Sequence, residues 1–163
     1  MNVFDNIKVT EHAVCESSML KATITGPIYS LKCHEDMDNG TICTYGDYVT
    51  SQVFASKAFE EGAAPLLILT PPFGYNTDRK YMSEEKYFYN AKDEIARAYT
   101  LYAGDIWTVS EMAFDGTPEV GKYINATYTV SDEAPSGFAA RIIEKVNYTN
   151  SVSYRLHLES TGV

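Results

Sequence analysis

"ARAYTLYAGDIWTVSEMAFDGTPEVGKYI", residues 96–124, is the stretch whose reading decides the fold. Gly104-Asp105 reads as a tight turn, because glycine accepts positive φ and an aspartate side chain satisfies nearby backbone amides. "IWTV" then reads as a strand, with Trp107, the only tryptophan, as a core or core-edge residue of a small barrel. Between Gly104 and Gly121 there are four acidic residues and no Lys, Arg or His. The interval is therefore read as turn and strand, with Asp105 and Glu111 as turn-forming and solvent-facing groups and not as a catalytic pair.

The same logic extends in both directions. "SVSYRLHLE" alternates with period two, placing Val152, Tyr154, Leu156 and Leu158 on one face and Ser153, Arg155, His157 and Glu159 on the other. "GFAARIIEKV" puts Phe138, Ala140, Ile142 and Val146 together, and "NYTN" supplies the turn of a hairpin. "KYINATYTV", with Ile124, Ala126, Tyr128 and Val130 in phase, and "LKATIT", with Leu20, Ala22 and Ile24, predict two more strands. "PLLILTPP" predicts a strand covered on both faces and stopped by Pro71 and Pro72. Asn39-Gly40 is the preferred dipeptide of a tight hairpin, with a strand expected in "TICTYGD". "YGDYVTSQVF" weakly echoes "AGDIWTVSEMAF". Only "SEEKYFYNAKDEIARAY" suggests a short helix, capped by Ser83 and ended near Asn90 before a strand enters at Ala96. The expected fold is mainly β: a compact barrel or sandwich with one or two short helices in a single domain spanning 1–163. Residues 1–15 read either as an extended N-terminal arm on a 16–163 β domain or as containing an edge strand from Val3.

Composition narrows function. Thirteen Lys and Arg stand against 22 Asp and Glu, for a net charge of −9, which opposes nucleic acid and anionic lipid as partners. No apolar run reaches the roughly 20 residues of a membrane span, and the start lacks the basic and apolar blocks of a secretory signal, so cytoplasmic synthesis is expected. Cys15, Cys33 and Cys43 are an odd count and read as buried thiols, with the sequons at Asn39, Asn125 and Asn147 as incidental turn and strand residues.

The motifs of common chemistry are missing. Cys33, His34 and Cys43 make a poor zinc set because adjacent strand residues point to opposite faces. "DMDNG" lacks the oxygen ligand and final Glu of a calcium loop. His12, His34 and His157 sit in no nucleophile motif, and no phosphate-binding glycine pattern occurs. We therefore expect no catalytic residue, no cofactor and no metal. Thirteen tyrosines and seven phenylalanines are the unusual feature. In "YMSEEKYFY" the rings of Tyr81, Tyr87, Phe88 and Tyr89 are too many for one face of a short helix, which marks them as partner-contact candidates beside Val3, Phe4 and Ile7.

The ordered blocks "NGTICTYGD", "LLILTPP", "RAYTLYAGDIWTV", "VGKYI" and "FAARIIEKV", between Asn39 and Val146, resemble head decoration proteins encoded beside the major capsid protein in tailed phages of Gram-positive bacteria. The tyrosine-rich insert and the Cys-His pair depart from that pattern. The resemblance implies a non-enzymatic virion protein made in the bacterial host cytoplasm. It would sit on the capsid exterior, bind the major capsid protein and stabilise its lattice, as a monomer or with itself as a trimer or other oligomer. The alternatives are a carbohydrate- or peptide-binding module on a virion or cell surface, a head fibre base or a tail component.

Overall fold

The computed structural model describes residues 10–72 and 82–163. Along the chain the strands are β1 (Cys15–Met19), β2 (Ile28–Lys32), β3 (Ile42–Thr50), β4 (Val53–Ala58), β5 (Leu66–Ile68) and β6 (Ile95–Thr100). They continue with β7 (Ile106–Ser110), β8 (Tyr123–Ile124), β9 (Val130–Ser131), β10 (Phe138–Tyr148) and β11 (Ser151–Thr161). Five of them close a barrel in the order β2-β4-β3-β5-β6, and the other six form a sheet in the order β1-β7-β11-β10-β8-β9. Among the described strand pairs only β2–β4 is parallel.

Two cores follow from strand alternation. Leu31, Cys33, Cys43, Leu66, Ile68, Ala96 and Ala98 fill the barrel. A larger core lies between sheet and barrel wall, where Trp107, Val109, Phe138, Ile142, Leu156 and Leu158 meet Ile42 and Leu67. β5 belongs to both: Leu66 and Ile68 point into the barrel while Leu67 points out to the sheet, and all three are fully buried. A strand with no solvent face reads as an unbroken apolar run, as expected of "PLLILTPP". The β10–β11 hairpin is also as read, closing through Thr149 and Asn150, both at positive φ.

Several expectations are corrected. The helical turns among the described residues are all short 3-10 turns, at Lys21–Thr23, Glu85–Tyr87 and Glu111–Ala113, with Met82 and Ser83 also in one. Ser83 is not the cap of the Glu85–Tyr87 turn: the residue preceding that turn is Glu84, whose side chain makes no cap hydrogen bond. "LKATIT" is one of those turns, with Leu20 and Ala22 buried and Ile24 exposed. "KYINATYTV" is no single strand but two short ones folded back around Asn125. The Asn125 side-chain oxygen accepts from the backbone amides of Thr127 and Thr129, and Ile124, Ala126 and Tyr128 still reach the core. The "GDIWTV" strand lies in the sheet and not in the barrel. The Gly-Asp echo is not a structural repeat. Gly104 sits at φ +99 before a buried Asp105 that accepts from the amides of Lys21 and Tyr102, so Asp105 forms the turn without facing solvent. Gly46-Asp47 instead lies inside β3 at a register shift.

Asn39-Gly40 forms a turn but not a hairpin, because β2 and β3 do not pair with each other. It joins the two layers instead. The Asn39 carboxamide donates to Thr70 O (2.9 Å) and accepts from Thr70 N (3.0 Å) and from the Asn90 amide (3.0 Å), so Asn90 is a buried partner and not a helix stop. Gly40 N donates to Ile68 O at 2.8 Å, and Gly40 O accepts from the Tyr128 hydroxyl, which in turn accepts from Trp107 Nε1 at 3.1 Å. A Cβ on Gly40 would lie 3.3 Å from Val109 and 3.4 Å from Cys15 at φ +96, whereas one on Gly104 would meet nothing. Gly40→Ala is expected to cost about 2–3 kcal/mol and Gly104→Ala about 1 kcal/mol, since only the first adds crowding to left-handed strain. Urea unfolding of the two variants checks the difference, and equal losses would refute the crowding at the junction.

Candidate docking surface

The sequence-derived contact residues separate in the structure. Val3, Phe4, Ile7 and Tyr81 lie outside the described residues. Phe88 is fully buried, which removes it as a contact residue. Tyr87 is half-buried with the Lys86 ammonium 4.9 Å from its ring centroid, and Tyr89 is half-buried and stacked on His12 at 4.7 Å. His12 N also donates to Lys86 O (2.7 Å), its ring bonds Asp38 (2.6 Å), and Ala13 N donates to Asp38 Oδ2 (3.0 Å). Residues 12–15 are therefore built into the domain, and an arm would end before His12.

A different surface emerges at one mouth of the barrel. Ser30 and Thr50 both lie opposite Val53, and Ile28 lies opposite Tyr99, so the starts of β2 and β4 and the ends of β3 and β6 share one end. The barrel interior at that end is closed by rings. Tyr29 stacks on Tyr45 at 5.0 Å, and Phe54 meets Tyr29, Tyr45 and Tyr48 edge-on at 5.8, 5.3 and 5.3 Å. Tyr45, Tyr48, Val49 and Ile28 remain exposed, Tyr48 to 59%. The turn entering β2 packs on the same end, with Lys21 Nζ 4.7 Å from the Tyr102 ring centroid, and carries Ile24 at 84% exposure.

Backbone geometry holds this surface in place. The β3–β4 hairpin turns through Ser51 (φ 50) and Gln52 (φ 66), a left-handed pair without glycine that costs roughly 1–2 kcal/mol per residue. The Tyr48 hydroxyl accepts the Gln52 amide at 3.0 Å, fixing its own ring as it braces the turn. Sequence reading missed this site because Ser-Gln carries none of the usual signal for such a turn. The outward aromatics of "TYGDYVTSQVF" look the same as core ones until a register shift in β3 sets their direction.

The remaining candidate chemistry is occupied structurally. Cys33 faces the barrel core while His34 bonds Ser56, with His34 Nδ1 and Ser56 Oγ 2.5 Å apart. Asp36 accepts the Lys92 amide at 2.8 Å. Among the described residues no group of three or more His, Cys, Asp or Glu is placed to hold a metal ion, and no helix is long and apolar enough to cross a membrane. The cysteines are free and buried, as expected. Burial pushes the Cys33 thiol up to about 11 and Cys43 to about 12, and raises Cys15 further. The barrel and its packed sheet define a mainly-β protein that exposes an aromatic cluster at one barrel mouth. Comparison with protein-family models, curated proteins and solved structures finds no match.

Two outcomes follow. Phe88→Ala is expected to cost about 3–5 kcal/mol, as a fully buried ring, and Tyr48→Ala under about 1 kcal/mol. Thermal or urea unfolding separates them. At pH 8 less than roughly one Cys33 in a thousand carries a thiolate, so all three thiols should resist a disulfide reagent until denaturant is added. Rapid labelling of the native protein would contradict that burial.

Proposed function

We propose that the protein is a structural virion component that binds the outer surface of a phage head through the barrel mouth and its hairpin, stabilising the lattice of the major capsid protein. The observation that carries this reading is the mouth itself: a braced, exposed cluster of Tyr45, Tyr48, Val49, Ile28 and Ile24 in a chain of net charge −9. Around it Ser30, Thr50, Ser51 and Gln52 are exposed and uncharged, with the exposed Asp47 between Tyr45 and Tyr48. Preformed aromatic and aliphatic anchors with a neutral hydrogen-bonding rim suit protein docking with little loss of side-chain freedom. The blocks of the resemblance support it from the scaffold side. "NGTICTYGD" is the junction turn and part of β3, "LLILTPP" contains all of β5, "RAYTLYAGDIWTV" runs from β6 into β7, and "FAARIIEKV" lies in β10. What the blocks share is thus the frame, and the mouth is the surface that the frame presents. A capsid exterior never meets packaged DNA, so an acidic chain is no handicap there.

The same rings with hydroxyl and amide neighbours also suit stacking on a neutral sugar, which makes glycan binding the second reading. Co-sedimentation with empty assembled shells, with unassembled coat protein as control, tests the proposal. Binding to shells is expected to weaken at least about tenfold in Tyr48→Ala and in Ile24→Ser, each melting within about 4 °C of the wild type. Affinity should change little between low and moderate salt, since apolar anchors and neutral hydroxyl and amide groups outnumber the charges at the mouth, Asp47 and Lys21. No binding to shells, together with glycan-dependent quenching of tyrosine fluorescence, would replace capsid docking by the sugar reading.

A further inference from the structure

At the opposite end of the barrel a second concavity opens where the chain leaves β2. It is an open groove of about 430 Å³, floored by Met37, Gly40 and Tyr128 and walled by Met112 and Ala113. Met112 is 53% exposed, on the short turn that follows β7. One lip is a run of three carboxylates, Glu35, Asp36 and Asp38. Thr41 and Thr127 add hydroxyl groups to the lining.

The charges around the groove are unequal. Asp38 is engaged by the His12 ring and the Ala13 amide, and Asp36 holds the Lys92 amide through one oxygen. Glu35 stands 3.4 Å from His34 Nε2, with its side chain 67% accessible. Against three carboxylates the lip offers two imidazoles and the backbone amides. The wall beside it is a methionine, whose unbranched thioether adapts to varied apolar partners. Lysine and arginine combine an aliphatic stem with a terminal charge, and so satisfy both halves of such a site at once.

We propose that this groove receives an extended basic segment of a partner protein, with a Lys or Arg stem laid along Met112 and its charge at Glu35 and Asp36. A volume of this size suits one or two side chains, and the open form suits a chain passing through rather than an enclosed small molecule. The junction turn beneath it, locked by the Asn39 and Tyr128 bonds, keeps the floor rigid in the free protein. This inference stands apart from capsid docking, because it uses other residues at the other end of the barrel.

The test is fluorescence anisotropy of the full chain, at moderate salt, with a short labelled peptide alternating Lys and Ala, and its Glu-Ala counterpart as control. The Lys peptide is expected to bind and the Glu peptide not. Glu35→Lys with Asp36→Asn should weaken binding at least about tenfold, and Met112→Ala about threefold. Asp132→Asn with Glu133→Lys, an equal charge change on two exposed residues that do not line the groove, should alter it less than about twofold. Asp36→Asn keeps an acceptor for the Lys92 amide, and a retained melting temperature certifies the fold. Equal weakening by the two charge pairs would reduce the effect to net charge and overturn the proposal, as would an unaltered affinity in Met112→Ala. A concentration-dependent dimer lost in Met112→Ala would show a second copy in the groove, and would overturn it as well.

Discussion

The Tyr128 hydroxyl bonds the sheet to the turn between β2 and β3, and that turn is held to β5 of the barrel through Gly40 N and Ile68 O. The hydroxyl accepts from Trp107 on β7 and donates to the carbonyl of Gly40, and the tyrosine is buried to 5% exposure. Burial raises its pKa well above the ordinary phenol range, so it stays a neutral donor throughout the physiological range. Inside a core, an indole N–H and a backbone carbonyl each need a partner, and loss of a partner costs about 1–3 kcal/mol per group. One side chain satisfies both. The Tyr128 backbone adopts φ 59, an unfavourable value for a non-glycine residue, which places the strain where the bonds recover it.

The rest of the architecture is organised around that junction. Asn39 ties the turn to Thr70 at the exit of β5 and to Asn90 ahead of β6, so the barrel is fixed to the same point. β5 carries packing in both directions, into the barrel through Leu66 and Ile68 and onto the sheet through Leu67. A rigid centre leaves the two ends of the barrel as the surfaces with distinct chemistry. One end presents rings and aliphatic side chains with few charges, Asp47 and Lys21 among them, and the other presents carboxylates beside methionine. Proteins rarely leave a braced aromatic cluster in solvent without a use for it, since burial of such rings is a main driving force of association.

Much of this was legible residue by residue. The alternation of 152–158, the turn at Thr149 and Asn150, the two-faced run of Leu66 to Ile68 and the burial of Trp107 all follow from period-two patterning and turn chemistry. Where the reading failed, a longer-range interaction had overridden a local signal. "KYINATYTV" keeps a strand's alternation, yet Asn125 folds it back because its side chain satisfies two backbone amides that a straight strand would leave to a neighbour. Asn39-Gly40 carries the best hairpin signal in the chain, yet the residues flanking it belong to strands that are separated by β4 in the barrel. The aromatic cluster at 87–89 looked like an exposed surface, but Phe88 is buried and Tyr89 covers His12.

By itself the sequence determined a mainly-β domain, its thiols' burial, its acidity and which short runs become strands, because those depend on composition and on neighbours two to four residues apart. Only the tertiary structure decided that the strands divide between a closed barrel and a separate sheet, and that Asn39-Gly40 is the joint between them. It alone also set which aromatics face water. Tyr45 and Tyr48 have the same local signature as buried strand residues, and their exposure arises from a register shift and a left-handed turn where β3 leaves the barrel. Pairing partners distant in the chain fix such features, and no local pattern encodes them.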